Sequence, residues 1–214
     1  VMADRVEFQI AEIHDEWMLL DDTIVDGEFT ADIQLDGGWY ELGVRALNGE
    51  TVVGSATVTG FGVGEVFITA GQSNSANSGR PIMVPEDPRI CAFDGAEWST
   101  AFDPQPIATG AGGTPWPLLG DLLADRYDVP IGFISVGWGG TRVEQWLPGA
   151  QEDYFGRLEL AVDALGVDGA RALLWHQGES DAFLDTSFDT YVSRLQTLIE
   201  SIRAHAGWQL PWGV

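Results

Sequence analysis

The chain has 214 residues, 45% of them hydrophobic, enough to bury the core of one large domain with a small companion. Its 33 acidic residues stand against 10 basic ones, all arginine, for a formal net charge of -23, which argues against nucleic acid or an anionic lipid surface as partner. No apolar run approaches the roughly 20 residues of a membrane helix, no signal peptide is visible at Val1, and Cys91 alone leaves no intrachain disulfide and no cysteine metal site. The acids are scattered along the chain, as on a solvated surface. That pattern suits a protein kept soluble at high salt, so a halophilic source is expected.

Residues 1–62 read as a β-rich domain. Val6-Glu-Phe-Gln-Ile10 alternates apolar and polar with the period of a half-buried strand. Phe29 to Leu35 is a second candidate strand, closed by Asp36-Gly37-Gly38. Tyr40 to Ala46 and Thr51 to Val58 flank Asn48-Gly49, a strong hairpin signal. The expectation is an antiparallel sheet, part of a small sandwich, with upstream strands missing.

Residues 63–214 change character. Apolar strand runs alternate with helical patterns, as in βαβ units around a parallel sheet. Val66 to Ala70 forms a buried run ending at Gly71, with Ser73 just past the turn and a helix expected to open there. Arg80 to Pro117 is mostly loop, with one short strand over Arg89 to Phe93 and with Asp87, Asp94 and Asp103 as turn residues. Trp116 to Arg126 is a helix with Leu118, Leu119, Leu122 and Leu123 on its apolar face. Ile131 to Val136 is the next strand, running into Gly137-Trp-Gly-Gly-Thr141. A helix over Tyr154 to Leu165 stops at Gly166. Ala170 to Trp175 is a strand running into His176-Gln-Gly-Glu-Ser-Asp181. An amphipathic helix follows over Phe188 to Ala206, and Leu210 to Val214 starts another strand.

Three strands thus end in polar, glycine-bearing turns, and a parallel sheet gathers such ends on one edge. Ser73 offers a hydroxyl. Gly139 and Gly140 offer backbone N–H groups that nothing shields, and Gln177 offers an amide donor. A serine among such donors is suited to acyl transfer through a tetrahedral oxyanion. The alternative for Ser73 is a plain helix cap. Trp138, Trp146 and Trp175 are either core or stacking platforms for sugars. Glu179 and Asp181 either orient substrate or pin loops.

The blocks Gly71-Gln72-Ser73-Asn74, Gly139-Gly140-Thr141 and Gln177-Gly178-Glu179-Ser180-Asp181 resemble, in order and spacing, those of the SGNH-type esterases. The likeness is to their sialate O-acetylesterase and acetylxylan esterase branch. It implies an α/β fold of three layers, preceded by a partial β-sandwich, and a serine esterase that removes O-acetyl groups from carbohydrate without a cofactor. By this resemblance Ser73 is the nucleophile. Its own N–H, the Gly140 N–H and the Gln177 side chain form the oxyanion hole, and Gln72, Asn74 and Glu179 contact substrate. An enzyme acting on polysaccharide is expected to be secreted or periplasmic.

One element of the family pattern is missing. The family takes its base from a late Asp-x-x-His motif, and none of His14, His176 and His205 stands in one. The expectation is a chain cut short before that motif, with the missing C-terminal segment as its partner. The alternative is an inactive relative that only binds carbohydrate.

Overall fold

The computed structural model describes residues 2–20, 24–166 and 169–214. The chain divides into two compact units, Val1–Gly64 and Glu65–Val214.

The first unit is a four-stranded antiparallel sheet in the order β2-β1-β3-β4, with β1 at Arg5–Ile10, β2 at Met18–Leu20, β3 at Gly38–Asn48 and β4 at Thr51–Val63. Asn48 pairs with Thr51, so Gly49 and Glu50 make the two-residue hairpin turn, and Gly49 supplies the positive φ of +56° that such turns require. Phe29 to Leu35 does not join the sheet. Its alternation is visible in burial, with Ala31, Ile33 and Leu35 half-buried between exposed neighbours, but among the described residues no strand pairs with it. The fourth strand of the sheet is instead β2, paired with β1 at the edge, whose three residues are too few to show a period.

The second unit holds a six-stranded sheet in the order β10-β9-β5-β8-β6-β7. Its strands are β5 (Glu65–Gly71), β6 (Ile90–Phe93), β7 (Trp98–Thr100), β8 (Ile131–Ser135), β9 (Ala172–His176) and β10 (Trp212–Gly213). All neighbours are parallel except β7, which runs antiparallel to β6. The helices are α1 (Trp116–Tyr127), α2 (Tyr154–Asp163), α3 (Glu179–Phe183) and α4 (Phe188–Ala206), with a 3-10 turn at Val143–Trp146. Alternate residues of the central strands point into two separate cores. Ile68, Ala70, Ile134 and Leu173 pack with Phe155 and Leu158 of α2 and with Leu198 and Ile202 of α4. Phe67, Ile131 and Phe133 pack with Trp116 and Ala124 of α1. Each fully buried aliphatic side chain of this kind stabilises by about 1.5–3 kcal/mol.

Two local expectations change. The buried residues of α1 are Trp116, Pro117, Gly120 and Ala124, while Leu118 and Leu122 are 51% and 61% exposed. Ser73 does not open a helix. Residues 73–76 form a turn in which Ser75 N and Ala76 N both donate to Gln72 O, at 2.9 and 3.0 Å. Asn77 then leaves in another direction, its N–H donating to Thr109 O at 2.9 Å. No helix among the described residues is long and apolar enough to cross a membrane.

Candidate active site

Adjacent strands β9, β5 and β8 carry the three sequence blocks to the C-terminal edge of the sheet. Backbone hydrogen bonds beyond the strands then lace the blocks together. Trp138 N donates to Gly71 O at 2.9 Å, and Gln72 N donates to His176 O at 3.0 Å. Gly71 makes this closeness possible. Its φ is +123°, and a Cβ there would lie 2.1 Å from His176 O.

Ser73 is half-buried on this edge, and its Oγ makes no hydrogen bond among the described residues, whereas the Oγ of Ser75 is turned inward onto Gln72 O. Of the two glycines that can present an N–H in the second block, Gly139 donates to Thr109 Oγ1 at 2.9 Å. Gly140, at φ +75° with open space where a Cβ would stand, keeps its N–H unpartnered among the described residues. Thr141 locks the turn from below. It is 1% exposed, its Oγ1 donates to Trp138 O and accepts from Trp146 Nε1, each at 2.9 Å. Arg157 adds a second support. Its guanidinium donates to Val136 O at 3.0 Å and Ile107 O at 2.7 Å and lies 4.8 Å over the Trp138 ring. Burial pushes the Arg157 pKa below the ordinary guanidinium value, the expected direction for a cation removed from water.

Gln72 and Gln177 hold rather than present. Gln72 is 4% exposed. Its Oε1 accepts from Gln177 Nε2 at 3.1 Å, Ser180 N at 3.0 Å and Gly178 N at 3.4 Å. A surface contact with substrate was expected of Gln72, but this oxygen is spent inside the protein. Gln177 was expected to offer a free amide donor. Its Nε2 has two hydrogens and faces three acceptors: Asp181 Oδ2 at 2.7 Å, Thr141 O at 2.9 Å and Gln72 Oε1 at 3.1 Å. Tyr191, whose phenol pKa burial pushes up, fixes the same block by donating to Gln177 O at 3.1 Å. Asn74 Nδ2 donates to Glu179 Oε1, so these two exposed residues of the first and third blocks face one another.

The tryptophans divide. Trp146 and Trp175 are 0% and 4% exposed and stand edge to face with centroids 5.3 Å apart, so they belong to the core and cannot stack on a sugar. Trp138 is half-buried against Tyr154. The histidines divide too. His14 Nδ1 accepts from Ile10 N at 3.2 Å, and His205 lies between Asp163 (2.8 Å) and Glu159 (3.2 Å) on α4 and α2. His176 stays on the edge that carries the three blocks, its Nε2 4.0 Å from Glu179 Oε1.

Asn77, Thr109 and Asp181 complete the arrangement. Asn77 Oδ1 accepts from Gln105 N at 2.6 Å, and its Nδ2 donates to Gln105 O and Ala108 O at 2.9 and 3.0 Å, fixing the loop that carries Thr109. Asp103 does the same for the loop ends, accepting from Met83 N and from both Thr114 N and Oγ1. Nothing local in the sequence marks Thr109, because its partner lies 30 residues away.

Comparison with known proteins agrees with the geometry. A solved protein from Arabidopsis thaliana is 24% identical, with a TM-score of 0.58 over 69% of this chain and 71% of that one. A carbohydrate acetylesterase from Xanthomonas citri is 20% identical, with a TM-score of 0.60 over 99% of this chain and 53% of that one. This chain thus spans about half of that protein's length, and at these identities both likenesses bear on the fold. No curated protein matches in sequence. The model of the SASA family, described as carbohydrate esterase, sialic acid-specific acetylesterase, matches residues 63–213, and the chain therefore belongs to that carbohydrate esterase family.

Proposed function

We propose that Ser73 is the nucleophile of a serine esterase that removes O-acetyl groups from carbohydrate of the sialate or xylan type through an acetyl-enzyme. The observation that carries this reading is the lacing of three blocks on one sheet edge, Gly71 O to Trp138 N and Gln72 N to His176 O. The second unit is in this reading a three-layer SGNH-type domain, and the first a part of a β-sandwich.

Ser73 Oγ attacks the acetyl carbonyl carbon and gives its proton to a base. The carbonyl oxygen becomes an oxyanion, held by the N–H groups of Ser73 and Gly140, which are charge-assisted and need no rearrangement. The intermediate collapses, the bond to the sugar oxygen breaks, and the base returns the proton to the leaving hydroxyl. Water then repeats the sequence on the acetyl-enzyme and releases acetate. Asn74 and Glu179, exposed and joined beside the nucleophile's turn, contact the sugar.

The base is assigned to a histidine of the family's Asp-x-x-His motif, carried outside these residues. A second reading gives the role to His176, which its position on the catalytic edge near Glu179 favours. Acetate release from an O-acetylated sugar by the protein in its natural length tests both. Ser73→Ala is expected to lower kcat on the order of 10⁴-fold. His176→Ala is expected to leave it within about threefold, and a loss as deep as that of Ser73→Ala would move the base to His176. An undiminished rate in Ser73→Ala would remove Ser73 as the nucleophile.

A further inference from the structure

We infer that Asp181 and Gln177 form a buried brace that positions the Gly140 N–H, and that Gln177 itself is not an oxyanion donor. The inference rests on the esterase reading of the site. Asp181 is 2% exposed at the start of α3, and among the described residues no arginine is bonded to it. Its Oδ2 accepts from Gln177 Nε2 at 2.7 Å and from Val143 N at 2.8 Å. Gln177 Nε2 in turn donates to Thr141 O at 2.9 Å. The carboxylate and the amide therefore grip the second block at Thr141 and Val143, just past Gly140. From the other side Gly139 N is held by Thr109 Oγ1. Gly140 is the residue between these anchors; its N–H has no partner among the described residues, and a Cβ there would stand in open space.

The count of hydrogens supports the division of labour. Two hydrogens on Gln177 Nε2 meet acceptors at 2.7, 2.9 and 3.1 Å, which leaves none for an oxyanion. Turning the amide over would place its oxygen against Asp181 Oδ2, Thr141 O and Gln72 Oε1, all acceptors, so the orientation is fixed. Asp181 Oδ1 and Gln177 Oε1 are buried without a partner. Asp181 is thus a positioning residue. It acts through Gln177 and Val143 on the donor that meets the transition state.

The test is a double-mutant cycle in the natural-length protein, with kcat and KM for p-nitrophenyl acetate and the melting temperature of each variant. Asp181→Asn and Gln177→Ala are each expected to lower kcat roughly tenfold with KM within about twofold, and the double variant to lose no more than either alone. A loss on the order of 10²-fold or more in Gln177→Ala beside a near-normal Asp181→Asn would overturn the inference, because Gln177 would then be the donor itself. Additive losses would overturn it too. Asp181→Ser, which leaves room for water where the carboxylate stood, provides the same readout where the asparagine variant does not fold. Failure of both to fold would make Asp181 an anchor of the fold and refute the positioning role. Ser73→Ala separates this from the esterase reading. An unchanged rate there removes Ser73 as the nucleophile of this site and the brace's role with it. A lost rate there with a normal Asp181→Asn removes the brace alone.

Discussion

Gly71 shows how much one residue can decide. Its φ of +123° turns the chain off β5, and its missing Cβ lets His176 O approach. An added methyl group would meet that oxygen at 2.1 Å, in a conformation L-residues avoid. Gly71→Ala is therefore expected to destabilise by about 3 kcal/mol or more, measured by thermal or denaturant unfolding. A loss under about 1 kcal/mol would show that the edge can yield there. The need for a glycine at this point was legible, because an apolar run ending in Gly71-Gln72-Ser73 reads as a strand and a sharp turn. The work of the neighbouring glutamines was not. An amide can face substrate or bind backbone with equal ease, and only the fold puts Gly178 N and Ser180 N in reach of Gln72 Oε1. The same holds for Trp146, whose indole satisfies its N–H on Thr141 five residues earlier and so can be wholly buried.

Helix α1 makes the point for an element. Its leucines are its loudest apolar signal, yet the residues buried one turn apart are Trp116, Gly120 and Ala124, and the small pair Gly120 and Ala124 allows the close approach to the sheet. A Cβ on Gly120 would stand 2.4 Å from Ile90 Cγ2 and 3.1 Å from Phe133. Gly120→Ala should therefore destabilise by about 1–3 kcal/mol despite the better helix propensity of alanine. Leu118→Ala, at an exposed position, should change stability by no more than about 0.5 kcal/mol. The reverse ranking in denaturant unfolding would contradict this packing. Helix α4 was easier to read. Its ends agree with local chemistry, Ser187 Oγ accepting from Thr190 N and Gly207 closing it at φ +77°. Phe29 to Leu35 has a strand's period and no partner among the described residues. Periodicity reports a half-buried surface, while a strand also requires a neighbour that the segment alone cannot reveal.

At the scale of the whole molecule, charge dominates. With -23 formal charges on 214 residues and no lysine, self-repulsion works against the compact state. The Debye length shrinks from about 10 Å at 0.1 M salt to about 3 Å at 1 M, which relieves repulsion between surface carboxylates. The melting temperature is expected to rise across that range of NaCl, and a flat or falling one would contradict a halophilic adaptation. The parallel sheet matters at this scale because it gathers residues 71–74, 138–141 and 176–181 from distant parts of the chain onto one edge. The central claim is that chemistry occurs there on Ser73. Its most direct measurement is mass spectrometry of the protein acid-quenched during turnover of an acetylated substrate, after cleavage at arginine. The account predicts one acetyl group on the 46–89 peptide that contains Ser73, Arg80 being shielded from cleavage by Pro81, and its absence from Ser73→Ala together with turnover. Continued turnover in Ser73→Ala, or an acetyl group that persists on that peptide without Ser73, would contradict it.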